Sequence, residues 1–452
     1  MRFYKPNKYA WGLLFSCLLF ICSAQAVKAA SAKFTPSLLV GYQWDDNVGA
    51  VDPDQVDPIT MQWVNYLVGL EGSVYDKNTS LTLGGWLGYS HYVNSNEDLK
   101  DLIDIPLSDF SYFNVNLKGE FQHVTPSAAF NVSDEVKRSR RFSDIFTYTN
   151  SDFSDFYLYT DNLASVQVRF RTRSPLNFLF KYTYESTVFD EPEGDVVSRP
   201  GSSYAQTGYA KTNYRLSSKV DVSLELQGGQ RVYEDTIIID GSGDESRVKV
   251  SDYNFYQGFL ELGYKFNARS SVSAAAGAHH RHFFNEGDRE LKDYTIPIGR
   301  ITYNLAGKNK NSLAVGAETG SNTYGLDNYF DYWQASAELT YYISKPIFLS
   351  TNFVYKQDYY NRDRLNLEDV WAHNRLDNIY IADAAVNLDL LRRRETPYLS
   401  LSVRYEHLVR DSNIDHASDY ESGYTGGSTS YDTQVNQISV QLKFNPTILI
   451  GI

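Results

Sequence analysis

A chain of 452 residues with 36 Tyr and 25 Phe against two Met, 42% apolar residues and a formal net charge of -13 does not read as a packed soluble core. Its acidity argues against nucleic acid as a partner. Both cysteines, Cys17 and Cys22, fall in the first 26 residues, which excludes a secreted domain stapled by disulfides.

The chain opens with Arg2, Lys5 and Lys8, an apolar run from Trp11 to Cys22, and the small-x-small pattern Ala24-Gln25-Ala26. This reads as a secretory leader, residues 1–26, with a second possible cut after Ala29, because the run is shorter than the ~20 residues a membrane helix needs. Phe20-Ile21 is too bulky to precede a lipidated Cys22. Removing 1–26 takes away three basic groups and no acid, leaving -16. No later stretch is suited to span a bilayer as a helix.

Phe34 to Trp44 alternates Leu38, Val40, Tyr42 and Trp44 with polar or small residues, the period of a strand. An acidic stretch from Asp45 to Asp57 follows. Trp63 to Tyr92 then reads as a hairpin: Tyr66, Val68, Leu70, Leu83 and Leu87 on one face, Glu71 and Trp86 on the other, turning at Asp76-Lys77-Asn78-Thr79. Phe113 to Gln122 alternates likewise before Thr125-Pro126-Ser127, and Asp134 to Asp155 reads as a long polar loop. The pattern recurs through Ala164–Arg171, Phe178–Glu185, Val222–Gln227, Leu260–Lys265, Leu313–Glu318, Trp333–Tyr341, Leu399–Glu406 and Ile438–Phe444.

Short turns near Asn78, Pro126, Pro175, Ser217, Arg269, Asn309, Lys345 and Arg393 alternate with longer segments such as Glu191 to Ser203, Asp235 to Val250, Arg362 to Asn374 and Asp411 to Ser430. Eight hairpins and two terminal strands predict about eighteen strands. A sheet crossing lipid must satisfy every backbone group, so it closes. The expected fold is all-β, a transmembrane antiparallel barrel of the bacterial outer membrane over residues 27–444, with outer-membrane lipid outside and a tail at 445–452 that returns to the periplasm or extends the last strand.

The face opposite the apolar one carries both signs, including Lys118, Lys211, Arg300, Lys356, Glu71, Glu225, Glu318 and Asp383, with no single sign dominant. Such a wall keeps a lumen wet through cross-strand pairs. It also suits a hydroxyl-rich solute or polymer, stacked on aromatic rings and bound by charged side chains. Trp86, Arg169, Arg171, Lys181, Tyr209, Arg231, Glu261, Glu338, Arg404 and Glu406 are the candidate lumen contacts. No cofactor is expected. Of His279, His280 and His282 only the last two share a face, and a polar cap at the strand's exit is favoured over a metal site. A solvated loop is favoured over calcium at Asp45 to Asp57. Neither a nucleophile elbow nor a paired-carboxylate signature is present, His407 and Ser402 lie on opposite faces, and no enzyme is expected.

Phe34-Thr35-Pro36-Ser37-Leu38 leading to Tyr42-Gln43-Trp44-Asp45-Asp46-Asn47-Val48 resembles the β-barrel porin family of exopolysaccharide and capsule clusters, which begins on a Pro-led strand ending in an Asp-Asn pair, here Pro36, Asp46 and Asn47. The resemblance implies an outer-membrane exit pore for a secreted polysaccharide, working with a periplasmic polysaccharide export protein. A general or small-solute diffusion porin is the alternative, and a barrel-embedded hydrolase a third. Outer-membrane barrels usually end on an aromatic residue, whereas eight residues follow Phe444 here.

Overall fold

The computed structural model describes residues 31–46, 60–93, 111–140, 158–172, 175–189, 198–199, 202–234, 236–239, 245–248, 252–284, 292–307, 310–324, 328–360, 375–393, 396–413, 432–446 and 448–451. The expected leader and the Arg362 to Asn374 segment lie outside them.

The wall begins with β1 (Ser31–Asp45), β2 (Met61–Tyr75), β3 (Thr79–Tyr92), β4 (Tyr112–Val124), β5 (Ala128–Arg140), β6 (Leu158–Arg171) and β7 (Leu176–Phe189). After the two-residue β8 (Ser198–Arg199) it resumes with β9 (Ser203–Arg215) and β10 (Val220–Tyr233). The short β11 (Thr236–Ile239) and β12 (Glu245–Val248) pair with each other, and β11 pairs with β8, in a small separate sheet. β13 (Tyr253–Lys265), β14 (Ser270–Phe283), β15 (Tyr294–Ala306), β16 (Ser312–Tyr324) and β17 (Asn328–Tyr342) follow. β18 (Ile347–Tyr360), β19 (Arg375–Arg393), β20 (Thr396–Ser412) and β21 (Thr433–Phe444) complete the wall, and β22 (Ile448–Gly451) continues the line of β21.

Each of the eighteen long strands pairs antiparallel with the next, and β21 pairs back on β1 from Leu38↔Phe444 to Asp45↔Gln437, closing the barrel. The strands that flank each of the eight expected short turns are antiparallel neighbours. In the first of them Asp76 Oδ1 accepts the N–H groups of Asn78 and Thr79, both at 2.7 Å. The short-turn end is the periplasmic end.

The lipid side is read directly from exposure: Val68 at 63%, Leu87 at 64% and Phe113 at 72% have no protein cover. Toward the outer end this apolar face stops at a ring of polar residues in the same outward positions, among them Asp134, Asn162, Ser186, Gln206, Gln230 and Asn254. Aromatic residues just inside the ring hydrogen-bond amide side chains on the next strand. Tyr42 donates to Gln62 at 2.9 Å, Tyr182 to Gln206 at 3.1 Å, Trp333 Nε1 to Gln357 at 2.9 Å, Tyr355 to Asn378 at 2.9 Å and Tyr405 to Asn436 at 2.7 Å. An apolar body with a polar tip is what the membrane boundary selects.

Above that ring both strand faces meet water or protein, and the alternation fades. This corrects one expectation: Asp134 to Arg140 is not loop but the outer part of β5, with Asn162 Nδ2 donating to Asp134 at 3.0 Å. The Asp235 to Val250 segment likewise holds two short strands rather than loop alone.

The closing seam has its own chemistry. Phe34↔Ile448 and Leu38↔Phe444 keep one register across the break between β21 and β22, which places Pro36 opposite Pro446. Asp46 N donates to Asn436 O at 3.1 Å, so even-numbered residues of β1 direct their N–H at the last strand. Pro36 and Pro446 therefore occupy a hydrogen-bonding pair position with no donor on either side.

Candidate functional site

Period-two alternation turns one side chain in two into the barrel, and eighteen strands enclose room for an aqueous channel. Inward side chains at the outer ends of the strands are almost wholly buried around the ring, including Met61, Trp63, Tyr159, Phe330, Tyr360, Arg375, Leu408 and Val435. The accessible inner wall lies in the middle and periplasmic parts, where Glu71, Lys118, Lys181, Glu338 and Arg404 are exposed.

Four of the inward charges on β9, β10, β13 and β15 form one network. Lys211 reaches Glu225 at 3.4 Å and Glu261 at 3.5 Å, and Arg300 bridges the same two carboxylates at 3.1 and 2.7 Å. Ser223 donates to Glu261 at 3.4 Å, and the Arg300 guanidinium lies 4.8 Å from the centre of the Phe259 ring. Tyr209, a sequence candidate, stands on β9 one inward position above Lys211. Elsewhere Arg231 holds Glu185 at 3.2 Å. On β19 and β20, Arg404 grips Asp383 with two bonds of 2.8 Å and reaches Glu406 at 2.9 Å. These pairs match the expected cross-strand neutralisation.

The remaining candidates are not gathered at one place. Trp86 is half-buried on β3, opposite Gly69 in the ladder and between the inward Gly84 and Gly88. A Cβ on Gly69 would stand 2.5 Å from Ser37 Oγ and 3.1 Å from Trp86 Cβ, so this wall is kept flat around the indole. Glu338 is exposed on β17. Arg169, Arg171 and Lys181 are exposed on the adjacent β6 and β7.

Two further features escape a residue-by-residue reading. An inward aromatic cluster lines the outer ends of β13 to β18, built on Tyr253, Phe283, Tyr294, Phe330 and Tyr360. Cations cover its rings: Arg281 lies 4.4 Å from the centre of Tyr253, Lys356 4.5 Å from Phe330 and Arg375 4.6 Å from Tyr360. Inward parity alone could have found these rings. The second feature is a latch across the seam, where Gln437 donates to Asp45 at 3.0 Å inside the barrel while Asp46 binds Asn436 outside.

The histidines are engaged locally. His279 faces inward beside Gln257, His280 meets Thr295 at 2.9 Å, and His282 meets Asp293 at 2.6 Å. Burial alone would raise the Asp293 carboxyl, but His282 and the Phe283 N–H hold it below the ordinary carboxylate range. His407 donates to Asn436 at 2.8 Å. Among the described residues no three metal-ligating side chains converge.

A closed eighteen-strand antiparallel barrel, apolar outside and charged inside, with interfacial aromatics at its boundary, is a transmembrane β-barrel of the bacterial outer membrane. No family model and no curated protein matches the chain. Among solved structures it is similar to Acinetobacter baumannii OccAB4, with a TM-score of 0.48 and 9% identity over 93% of this chain and 99% of that one. It is similar also to Pseudomonas aeruginosa OccK9 (OpdG), with a TM-score of 0.48 and 10% identity over 92% and 98% of the two chains. Pseudomonas aeruginosa OpdK with vanillate gives a TM-score of 0.45 and 11% identity over 92% and 99%. At these values the likeness carries no argument about cargo, and the resemblance to the exopolysaccharide family rests on Pro36, Asp46 and Asn47.

Proposed function

We propose that this barrel is a passive outer-membrane channel for small hydrophilic solutes. The observation that carries the reading is the accessible middle and periplasmic wall, polar and in part ion-paired, beneath an outer mouth whose inward side chains are buried. Such a conduit is wet along its wall and narrower at its outer end than the backbone ring, which suits solutes better than a bulky chain. Interspersed charge pairs give water and polar groups continuous hydrogen-bonding partners without binding any of them tightly. The purified protein should conduct ions in planar bilayers and admit small sugars or amino acids into liposomes with no partner present. Absence of both would overturn the reading.

A second reading, export of a secreted polysaccharide together with a periplasmic polysaccharide export protein, is favoured by Trp86. An indole raised from a wall kept flat by Gly69, Gly84 and Gly88 offers its face to a sugar ring. Deleting the gene should then abolish surface polysaccharide while its precursors are still made; unchanged secretion would exclude it.

A further inference from the structure

We infer that the periplasmic half of the inner wall on β6, β7 and β9 is a binding strip for multiply charged anions, carboxylate or phosphate, a reading that rests on the barrel being an open channel. Arg169, Arg171, Lys181 and Arg215 all occupy inward positions there, all are exposed, and among the described residues none has a carboxylate within ion-pair distance. This sets them apart from Lys211, Arg231, Arg300, Lys356 and Arg404, each of which holds an acid.

The separation follows from register. Lys181 stands between Gln167 and Tyr209, Arg169 between Ala129 and Leu179, and Arg171 opposite Asn177. The nearest inward acids are committed elsewhere: Glu185 to Arg231, Glu225 to Lys211 and Arg300, and Asp221, opposite Arg215, to Lys265 at 3.6 Å. Arg169 and Arg171 are one inward step apart, roughly 7 Å along the strand. Lys181 extends the same strip toward the middle of the lumen.

Four unpaired cations on three adjacent strands repel one another, and a chain of net charge -13 had acids enough to neutralise them. Their placement instead makes a local positive field in a low-dielectric wall, which concentrates anions at the periplasmic mouth. Guanidinium groups match two oxygens of a carboxylate or phosphate at once, and the Lys181 ammonium adds a point charge further in. A small anion would pass from the Arg171 level to the Lys181 level without leaving the strip.

The test uses the full-length protein in planar bilayers under a KCl gradient. The reversal potential should report anion preference despite the acidic chain. The Arg169→Gln, Arg171→Gln, Lys181→Gln triple variant should lower the anion-to-cation permeability ratio severalfold, Lys181→Gln alone should lower it less, and Lys118→Gln on β4 should leave it near the original value. Citrate or pyrophosphate added at the periplasmic side should block the original channel, and block should weaken in both Lys181 variants; stronger block by citrate assigns carboxylates, and stronger block by pyrophosphate assigns phosphates. A conducting channel that prefers cations, is blocked by neither anion and is unchanged in the triple variant would overturn the strip while leaving the channel reading intact. A protein that inserts but never conducts would instead sink the channel reading on which the strip depends.

Discussion

Asp46 and Asn436 stand 390 residues apart in the chain and bind each other by three hydrogen bonds across the barrel's closing seam. Both Asp46 carboxylate oxygens accept, from Asn436 N and Nδ2 at 2.6 Å each, and Asp46 N donates to Asn436 O at 3.1 Å. Asn436 Oδ1 in turn accepts from Tyr405 and His407 on β20, so one aspartate organises three strands at the outer membrane boundary. The Asp-Asn pair that ends the opening strand thus has a structural duty at its Asp46 half. Asp46→Ala leaves two donors of Asn436 without their carboxylate and should lower barrel stability by about 1.5 to 3 kcal/mol, the range for bonds to a charged group. Denaturant unfolding in detergent checks this, and an unchanged midpoint would remove the latch from the account.

At the other end of the same seam, Pro36 faces Pro446 where two ladder bonds belong. Each carbonyl there has no N–H to accept from. Pro36→Val supplies one donor to the Pro446 carbonyl, and Pro446→Val supplies the reciprocal one. Each substitution should raise stability by roughly 0.5 to 1.5 kcal/mol, and the double variant by more than either alone. A thermal transition that falls in both single variants would show that the seam prefers its interrupted form.

The alternation was legible in the sequence wherever lipid enforces it. Between Tyr66 and Leu87, or Leu399 and Tyr405, hydrocarbon on one side and water on the other leave no freedom in which positions are apolar. Asp134 to Arg140 was not legible as strand because it rises past the boundary, where that constraint ends. Inward charges were legible as a set but not as pairs. Arg300 finds Glu225 seventy-five positions earlier in the chain, through the registers of three strand pairings, and no local pattern encodes that distance. The same blindness hid the strip of cations left without acids, since a wall of mixed sign looks balanced until partners are assigned.

Neighbouring positions on β20 separate assembly from passage. Val403 faces lipid at 43% exposure, whereas Arg404 faces the lumen and holds Asp383 and Glu406. Val403→Arg should impair membrane insertion at a cost of about 2 to 4 kcal/mol near the midplane. Arg404→Ala should still insert, since water in the lumen screens the two carboxylates it abandons, and should shift ion selectivity toward cations. Comparing the folded fraction by heat-modifiable gel migration with single-channel recordings distinguishes the two; equal insertion defects would contradict the face assignment.

The first periplasmic turn supplies a pH-dependent contribution. The backbone N–H groups of Asn78 and Thr79 donate to Asp76 and hold its carboxyl below the ordinary aspartate range. A carboxylate whose folded-state pKa is depressed stabilises the native turn above its unfolded value, ~3.9, and loses that contribution as pH falls through the lower folded value. Asp76→Ala removes the acceptor at every pH. The original protein should therefore unfold at higher denaturant than the variant at pH 6, and the two should converge as pH falls below the ordinary aspartate range. Because the turn is fully exposed, the effect should be small, and its change with pH confined to that acid window. A difference that stays constant down to the lowest pH would mean that Asp76 supports the turn by packing or backbone preference, not through its charge.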